Sequence, residues 1–531
     1  MTPVGGRGAD TDTERRLAVL WRDVLGIDDV PVDANFFALG GNSIAVIRMA
    51  SAARRSGLPV TPRMVFTHQT IESLARVVAD PAPVGDTEPV VTGSPVVNAT
   101  ERHMLGTLHD NPSIPGLYRM QSILPLPFPI DPDCFVTAWR GLVHRHERLR
   151  TGFRRAGDGT WMRVVAEEFD PPIDLLDWRD RDSGAIADDL TAHLERERSG
   201  PVDVATPPLW RVWLVRGPDT WWMGQVQCYL VADGWSNLML LDELLALYSA
   251  ALAGRQAELP PVPRIDDLGG EDIGGDTAFW RARLTGAHPS RVAEAPGRLG
   301  PSCFRRIAGR LESSIGAALR ARAAEHGHTF STLVCTGWAL LVASRLGRMD
   351  VTVGVVSAGR DHAIDGIERA VGLFIAALPV RIEIDPGEPL AAVFERFQLA
   401  RVEGAEHTSV ETSALQRMGA DDGPLFDSVL VVANYPISPA LHALQGHGPT
   451  HQGTDGSGGT RNQTEFAVRL DITDDDEPRF ALSYYRDRIS DADARRLLDD
   501  YLALLGVIAR TPAAVTSHVL SFPQPTDGDH R

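Results

Sequence analysis

No lysine occurs among the 531 residues; all 52 basic residues are arginine. That pattern reads as the base composition of a GC-rich gene, not as a chemical requirement. Cysteine is scarce. Cys134, Cys228, Cys303 and Cys335 are scattered, with neither disulfide-framework nor metal-ligand spacing. A stapled scaffold and a cysteine metal site are excluded, no metal is expected, and a reducing, cytoplasmic setting is the default. No apolar run reaches the roughly 18 residues that a membrane span needs. No signal-peptide pattern opens the chain, so no membrane partner is expected. Positive charge is also short: the formal net charge of −18 argues against nucleic acid as a partner. No catalytic triad or phosphate loop can be read along the chain.

What is present is apolar residue enough for sizeable cores, 43 % of the chain. The length calls for two to four domains. A first helix starts with Thr11 and Glu14 at capping-box spacing, buries Leu17, Leu20, Trp21 and Val24, and ends at Gly26. Then Phe36-Phe37-Ala38-Leu39-Gly40-Gly41-Asn42-Ser43 opens a second helix running to about Arg55. Gly40-Gly41 forms a turn that lets the backbone approach a bulky group. Ser43 stands at the positive end of the helix, where a phosphodiester is stabilised; a simple helix cap is the competing reading. From Asp80 to Val97 the composition turns to Pro, Gly, Thr, Ser and acid, as in a linker.

Further on, strand-like Trp221–Gln227 leads into Cys228-Tyr229-Leu230-Val231-Ala232-Asp233-Gly234-Trp235-Ser236. A helix follows, with Leu238, Leu241, Leu245, Tyr248 and Leu252 at helical spacing and Ser236 able to cap it. Such a strand-to-helix turn holds polar groups at the mouth of a cleft. Around it stand Arg145-His146-Glu147-Arg148-Leu149-Arg150-Thr151-Gly152-Phe153, Phe279–Leu284, an apolar helix at Thr329–Leu346 and a strand at Val351–Val356. Ser357-Ala358-Gly359-Arg360, Gly372-Leu373-Phe374 to Arg381, Pro424–Asp427 and Asn434-Tyr435-Pro436 come next. Residues 446–463 read as a loop; strands at Glu465–Asp471 and Phe480–Tyr485 and a helix at Asp491–Ile508 close the chain.

Residues 11–80 resemble a peptidyl carrier domain, with Ser43 at the serine that accepts 4′-phosphopantetheine. Residues 98–520 resemble the condensation domains of nonribosomal peptide synthetases. The fold class so implied is mixed α/β. A small helical-bundle carrier domain (11–80) and a linker (81–97) precede a two-lobed, chloramphenicol-acetyltransferase-like domain. Its N-lobe spans 98–275 and its C-lobe 276–520, with a tunnel crossing between them at the Asp233 turn.

The family reads His-His-x-x-x-Asp-Gly at that turn. Asp233 and Gly234 match, but Cys228 and Tyr229 hold the histidine positions. Residues 98–106 match the family's first motif poorly. Ile265–Asp272 replace another motif, and Ala376-Ala377 replace a polar pair. The resemblance implies an ion pair between Asp233 and Arg360. Arg145 and His146 either shape the cleft or form a solvated helix end. His362 and His407 are cleft candidates or surface histidines.

Tyr229 is a core residue or a polar catalytic part. A phenol with pKa near 10 donates hydrogen bonds but accepts protons poorly. Cys228 reads as a small buried hydrophobe rather than a nucleophile. Two functions follow. One is a condensation-type enzyme joining carrier-bound groups to an amine. The other is a platform that recruits a tailoring enzyme to the amino acid carried at Ser43. Either one implies a phosphopantetheinyl transferase and a separate adenylation protein to load the arm. The acceptor would be a downstream carrier or a free amine.

Overall fold

A computed structural model describes residues 7–79, 97–167, 169–263, 275–293, 304–360, 366–419, 423–433, 441, 461–511 and 516–520. Most of the 81–97 linker, residues 265–272, Cys303, His362, Asn434–Pro436 and most of the 446–463 loop lie outside the described residues.

Helix α1 (Asp12–Leu25) begins with both halves of its capping box formed and ends on left-handed Gly26. Helices α2 (Ser43–Arg55), α3 (Pro62–Thr67) and α4 (Ile71–Ala79) complete a bundle. Its core holds Leu17, Trp21, Phe36, Val46, Met49 and Leu74. Trp21 meets Phe36 edge-on at 4.8 Å.

The larger part opens with α5 (Ala99–Asp110), β1 (Arg119–Leu126) and α6 (Pro132–Arg145). A β2 (Thr151–Arg155) and β3 (Trp161–Val165) hairpin follows, then β4 (Ile173–Asp177), α7 (Ile186–Ser199), β5 (Trp210–Arg216), β6 (Trp221–Cys228) and α8 (Gly234–Leu252). In β5, Trp213 and Val215 face α7, while Val212 and Leu214 face the side packed by α6 and α8. Both faces of this sheet are therefore covered, which explains the near-continuous apolar runs of β5 and β6. Gly224 lets α7 close in: a Cβ there would meet Leu194 at 3.1 Å.

Helix α9 (Gly275–Leu284) leads to β7 (Phe304–Arg310), α10 (Ser313–Glu325), α11 (Phe330–Leu346), β8 (Asp350–Ser357) and β9 (Ala376–Glu383). Then come α12 (Leu390–Ala405), α13 (Thr412–Leu415), β10 (Ser428–Ala433), β11 (Arg461–Asn462), β12 (Val468–Thr473), β13 (Arg479–Tyr485) and a long helix, Asp491–Arg510. The second sheet has the order β7-β13-β12-β10-β8-β9. The first has the order β11-β1-β6-β5-β4, so β11 crosses over to pair with β1.

That crossing shortens the strand read at Glu465–Asp471. The chain spends residues 463–467 passing between sheets, where the Gln463 carbonyl takes the Tyr118 amide at 2.9 Å. The buried stripe of α8 is also displaced. Leu240, Leu244 and Tyr248 are buried, whereas Leu252 is exposed. The mixed helix-and-sheet class stands as expected. No single helix among the described residues is long and apolar enough to cross a membrane.

The bundle packs against the second lobe. Ser51 Oγ donates to Glu368 at 2.7 Å, and Arg55 reaches the same carboxylate at 3.0 Å. Arg63 donates to Glu406 at 3.1 Å, and Gln69 Nε2 donates to the Gly327 carbonyl at 3.0 Å. Val402 of α12 joins the bundle's apolar core.

Candidate functional site

The turn between β6 and α8 is held from both lobes. Asp233, not Ser236, is the N-cap of α8: its Oδ1 accepts from the Ser236 amide at 2.8 Å. Asp233 Oδ2 accepts from Arg360 Nη1 at 3.0 Å and from the Phe374 amide at 3.1 Å. Ser236 Oγ instead takes Arg360 Nη2 at 2.8 Å and faces Gly372, whose carbonyl lies 2.9 Å away. Asp233 and Arg360 are both 0 % exposed.

The Arg360 guanidinium lies between the Trp235 and Phe374 rings, 4.9 and 4.4 Å from their centroids. The aromatic faces add attraction to the ion pair. Gly359 makes the approach possible: its φ is +62°, and a Cβ there would fall 1.8 Å from the Phe374 carbonyl oxygen.

The two residues at the histidine positions are buried. Cys228 closes β6, and burial pushes its thiol up to about 11. Tyr229 is bound through its amide to the Tyr118 carbonyl at 2.9 Å. Burial raises its phenol above the usual tyrosine value, and the Arg469 guanidinium offsets part of that rise. Arg469 comes from β12 of the other lobe and is buried. It pairs with Asp471 at 2.7 Å.

The sequence reading missed Arg469 and Asp471. Their signal was the alternation in Val468-Arg469-Leu470-Asp471-Ile472, which puts both charges on one face of an interior strand. Also missed was His103 Nε2, 2.9 Å from Glu465, a contact that ties α5 to the crossing segment.

Other candidates fall elsewhere. Arg145 and His146 both bond Glu243 of α8, at 2.8 and 2.7 Å, so they fasten α6 to α8. His407 bonds Asp276 at 2.7 Å and stacks on Phe279, away from the turn. Arg381 pairs with Asp350 at 2.7 Å. Ala376 and Ala377 begin β9.

Ser43 is the first residue of α2, and the cap is its neighbour. Asn42 Oδ1 accepts from the Ile44 and Ala45 amides at 3.1 and 2.9 Å. The capping explanation for Ser43 therefore fails, and its hydroxyl is available for other chemistry. Arg401 Nη2 lies 3.5 Å from it. Gly41 is required just before: a Cβ there would meet Phe36 at 2.3 Å. A half-buried hydroxyl, a nearby guanidinium and a close glycine turn fit a phosphodiester-linked arm.

Comparison with known proteins gives the family. Residues 101–527 match the family described as Condensation domain. The chain belongs to that family. Its residues 15–78 match the domain described as Phosphopantetheine attachment site, so the prosthetic group is covalent 4′-phosphopantetheine.

Chondramide synthase cmdD of Chondromyces crocatus is 31 % identical over 61 % of this chain and 8 % of its own length. AMB antimetabolite synthetase AmbE of Pseudomonas aeruginosa is 31 % identical over 70 % of this chain and 19 % of its own. This condensation-family chain thus spans under a fifth of either relative. The first condensation domain of the CDA synthetase shares the fold, with TM-score 0.64 and 18 % identity over 80 % of this chain and 98 % of that one. The X-domain from teicoplanin biosynthesis does too, with TM-score 0.64 and 20 % identity over 80 % of this chain and 97 % of that one.

Proposed function

We propose that this chain works in nonribosomal peptide assembly, with Ser43 bearing the arm and the condensation domain receiving its acyl thioester. The observation that carries the first half is the capping of α2 by Asn42, which leaves the Ser43 hydroxyl free of a structural duty. The arm, when bound, supplies an acyl group activated as a thioester. The Asp233–Arg360 pair fixes the β6–α8 turn, so the peptide groups around it stay in register with Gly372 and Phe374 of the other lobe. Amide formation needs an amine to attack, a thiol to leave and a proton to be lost. Position alone supplies a large share of such a rate. Tyr229, a buried neutral phenol, is a poor acceptor for the proton, so the reaction here is a slow condensation.

A second reading is favoured by one observation: both residues at the histidine positions are buried and shifted away from ionisation. The domain is then a platform that recruits a tailoring enzyme to the loaded carrier. The partners on either reading are an adenylation protein, a phosphopantetheinyl transferase, and a downstream carrier or free amine.

Incubation with coenzyme A and a phosphopantetheinyl transferase should add one arm by intact mass, and Ser43→Ala should abolish the gain. Equal modification of Ser43→Ala would refute the assignment. Loaded donor and acceptor should then yield some dipeptide; none at all, with a co-eluting tailoring enzyme instead, would replace condensation by recruitment.

A further inference from the structure

The face that the second lobe offers to the carrier bundle is acidic at two of its contacts. Glu368 takes Arg55 at 3.0 Å, and Glu406 takes Arg63 at 3.1 Å with Glu403 at 3.8 Å. At Ser43 the polarity reverses. There the lobe presents Arg401, a cation, to a neutral hydroxyl at 3.5 Å. That distance is at the edge of hydrogen bonding. Arg401 is held in this pose from its own lobe, donating to Ser331 Oγ at 2.6 Å. Ser331 is itself buried at the first turn of α11. The guanidinium is therefore placed from α11 and α12 before the carrier contributes anything.

We infer that Arg401 is a clamp for the phosphodiester attached at Ser43, so that the docked pose of the carrier is tighter in the pantetheinylated protein than in the bare one. The inference rests on Ser43 being the attachment residue. Attachment joins Ser43 Oγ to the phosphorus of coenzyme A's pyrophosphate. The P–O–P bond breaks, adenosine 3′,5′-bisphosphate leaves, and the hydroxyl proton goes to solvent. What remains on Oγ is a monoanion whose oxygens extend past it, within reach of the adjacent Arg401 guanidinium. Guanidinium–phosphate contacts are the strongest class of hydrogen bond a side chain makes, and are frequently bidentate. The change from hydroxyl to phosphodiester turns a marginal contact into a charge-assisted one. The carrier then docks preferentially once it carries its arm. Undocked, Ser43 is open to the transferase; docked, it is half-covered by the lobe.

Amide hydrogen exchange on the full chain tests this, comparing the bare protein with the protein treated with coenzyme A and transferase. Residues 43–55 and 390–405 should exchange about tenfold more slowly in the pantetheinylated form, the size expected of a charge-assisted contact. Arg401→Gln should abolish that difference between the two forms, whatever the loss of its bond to Ser331 does to the bare protein. Arg401→Lys should keep part of it. Glu368→Gln should speed exchange in both forms and preserve the difference between them. Equal exchange in the two wild-type forms, or a full difference surviving in Arg401→Gln, would overturn the clamp. Intact mass separates the two levels. A mass gain on Ser43 with unchanged exchange overturns only the clamp, whereas a gain on another residue overturns the attachment reading with it.

Discussion

On the proposed condensation reading, Tyr229 is the residue that limits the chemistry. An imidazole at its place would have pKa near 6.5 and could take a proton at neutral pH. A phenol already near 10 is pushed further up by burial, and Arg469 only moderates this. Arg469 also stabilises whatever anionic character the phenol has, which favours donation over acceptance. The double change Cys228→His with Tyr229→His restores the family's turn without touching Asp233 or Gly234. Amide formation with loaded donor and acceptor should rise by up to about 10²–10⁴-fold, the usual contribution of a general base. A measurable wild-type rate equal to that of the double variant would eliminate Tyr229 as the limiting residue. No product from either protein, with the fold intact by circular dichroism, would favour recruitment. Arg469 sharpens the interpretation, because a new imidazole beside a guanidinium has its proton affinity lowered. Adding Arg469→Gln to the double variant should therefore shift the pH–rate profile upward.

At the scale of the element, the β6–α8 turn is a buried ionic knot rather than a loop. Asp233 caps a helix, pairs with Arg360 and accepts the Phe374 amide, all without solvent. Removing one partner strands the other in a dry site, at a cost of about 3–5 kcal/mol. Asp233→Ala should thus lower the urea midpoint sharply, with Asp233→Asn losing less because the amide oxygen still caps α8. A loss below about 1 kcal/mol for the alanine variant would contradict a structural role. Much at this scale was legible in the sequence. Gly26 and the Thr11–Glu14 box are local chemistry, and local chemistry is written in adjacent residues. The exchange of Ser236 for Asp233 as the cap was not legible, since both are capping residue types and each could open the helix at its own position. What decided it was Arg360 and Gly372, which claim the Ser236 hydroxyl from 124 and 136 positions away. Arg145 and His146 misled for a similar reason: their partner, Glu243, lies on α8, not within their own stretch.

The whole molecule joins the carrier to the turn by a short physical route. The Glu368 side chain holds Ser51 and Arg55 of the bundle, while its backbone carbonyl accepts the Trp235 indole N–H at 3.1 Å. Trp235 in turn covers Arg360. No sequence pattern announces this packing, because it depends on where α2 lands on a distant lobe. The same interface holds a buried histidine. His328 follows Gly327, whose carbonyl takes Gln69 of the bundle. Burial, aided by His326, holds His328 down to about 4 from its usual 6.5. Above about pH 6.5 the group is neutral in both folded and unfolded chains and adds no pH dependence. As pH falls from there toward 4, the unfolded chain binds the proton first, so stability is lost, at up to about 1.4 kcal/mol per pH unit. His328→Gln should remove that component. Its urea midpoint should fall less steeply than the wild type's between pH 6.5 and 4, while carboxylates affect both proteins alike below that range. Exchange at residues 61–71 should quicken over the same window in the wild type, since a charged His328 disturbs the turn that receives Gln69. Parallel midpoint curves for the two proteins would show that His328 does not couple acid to this interface.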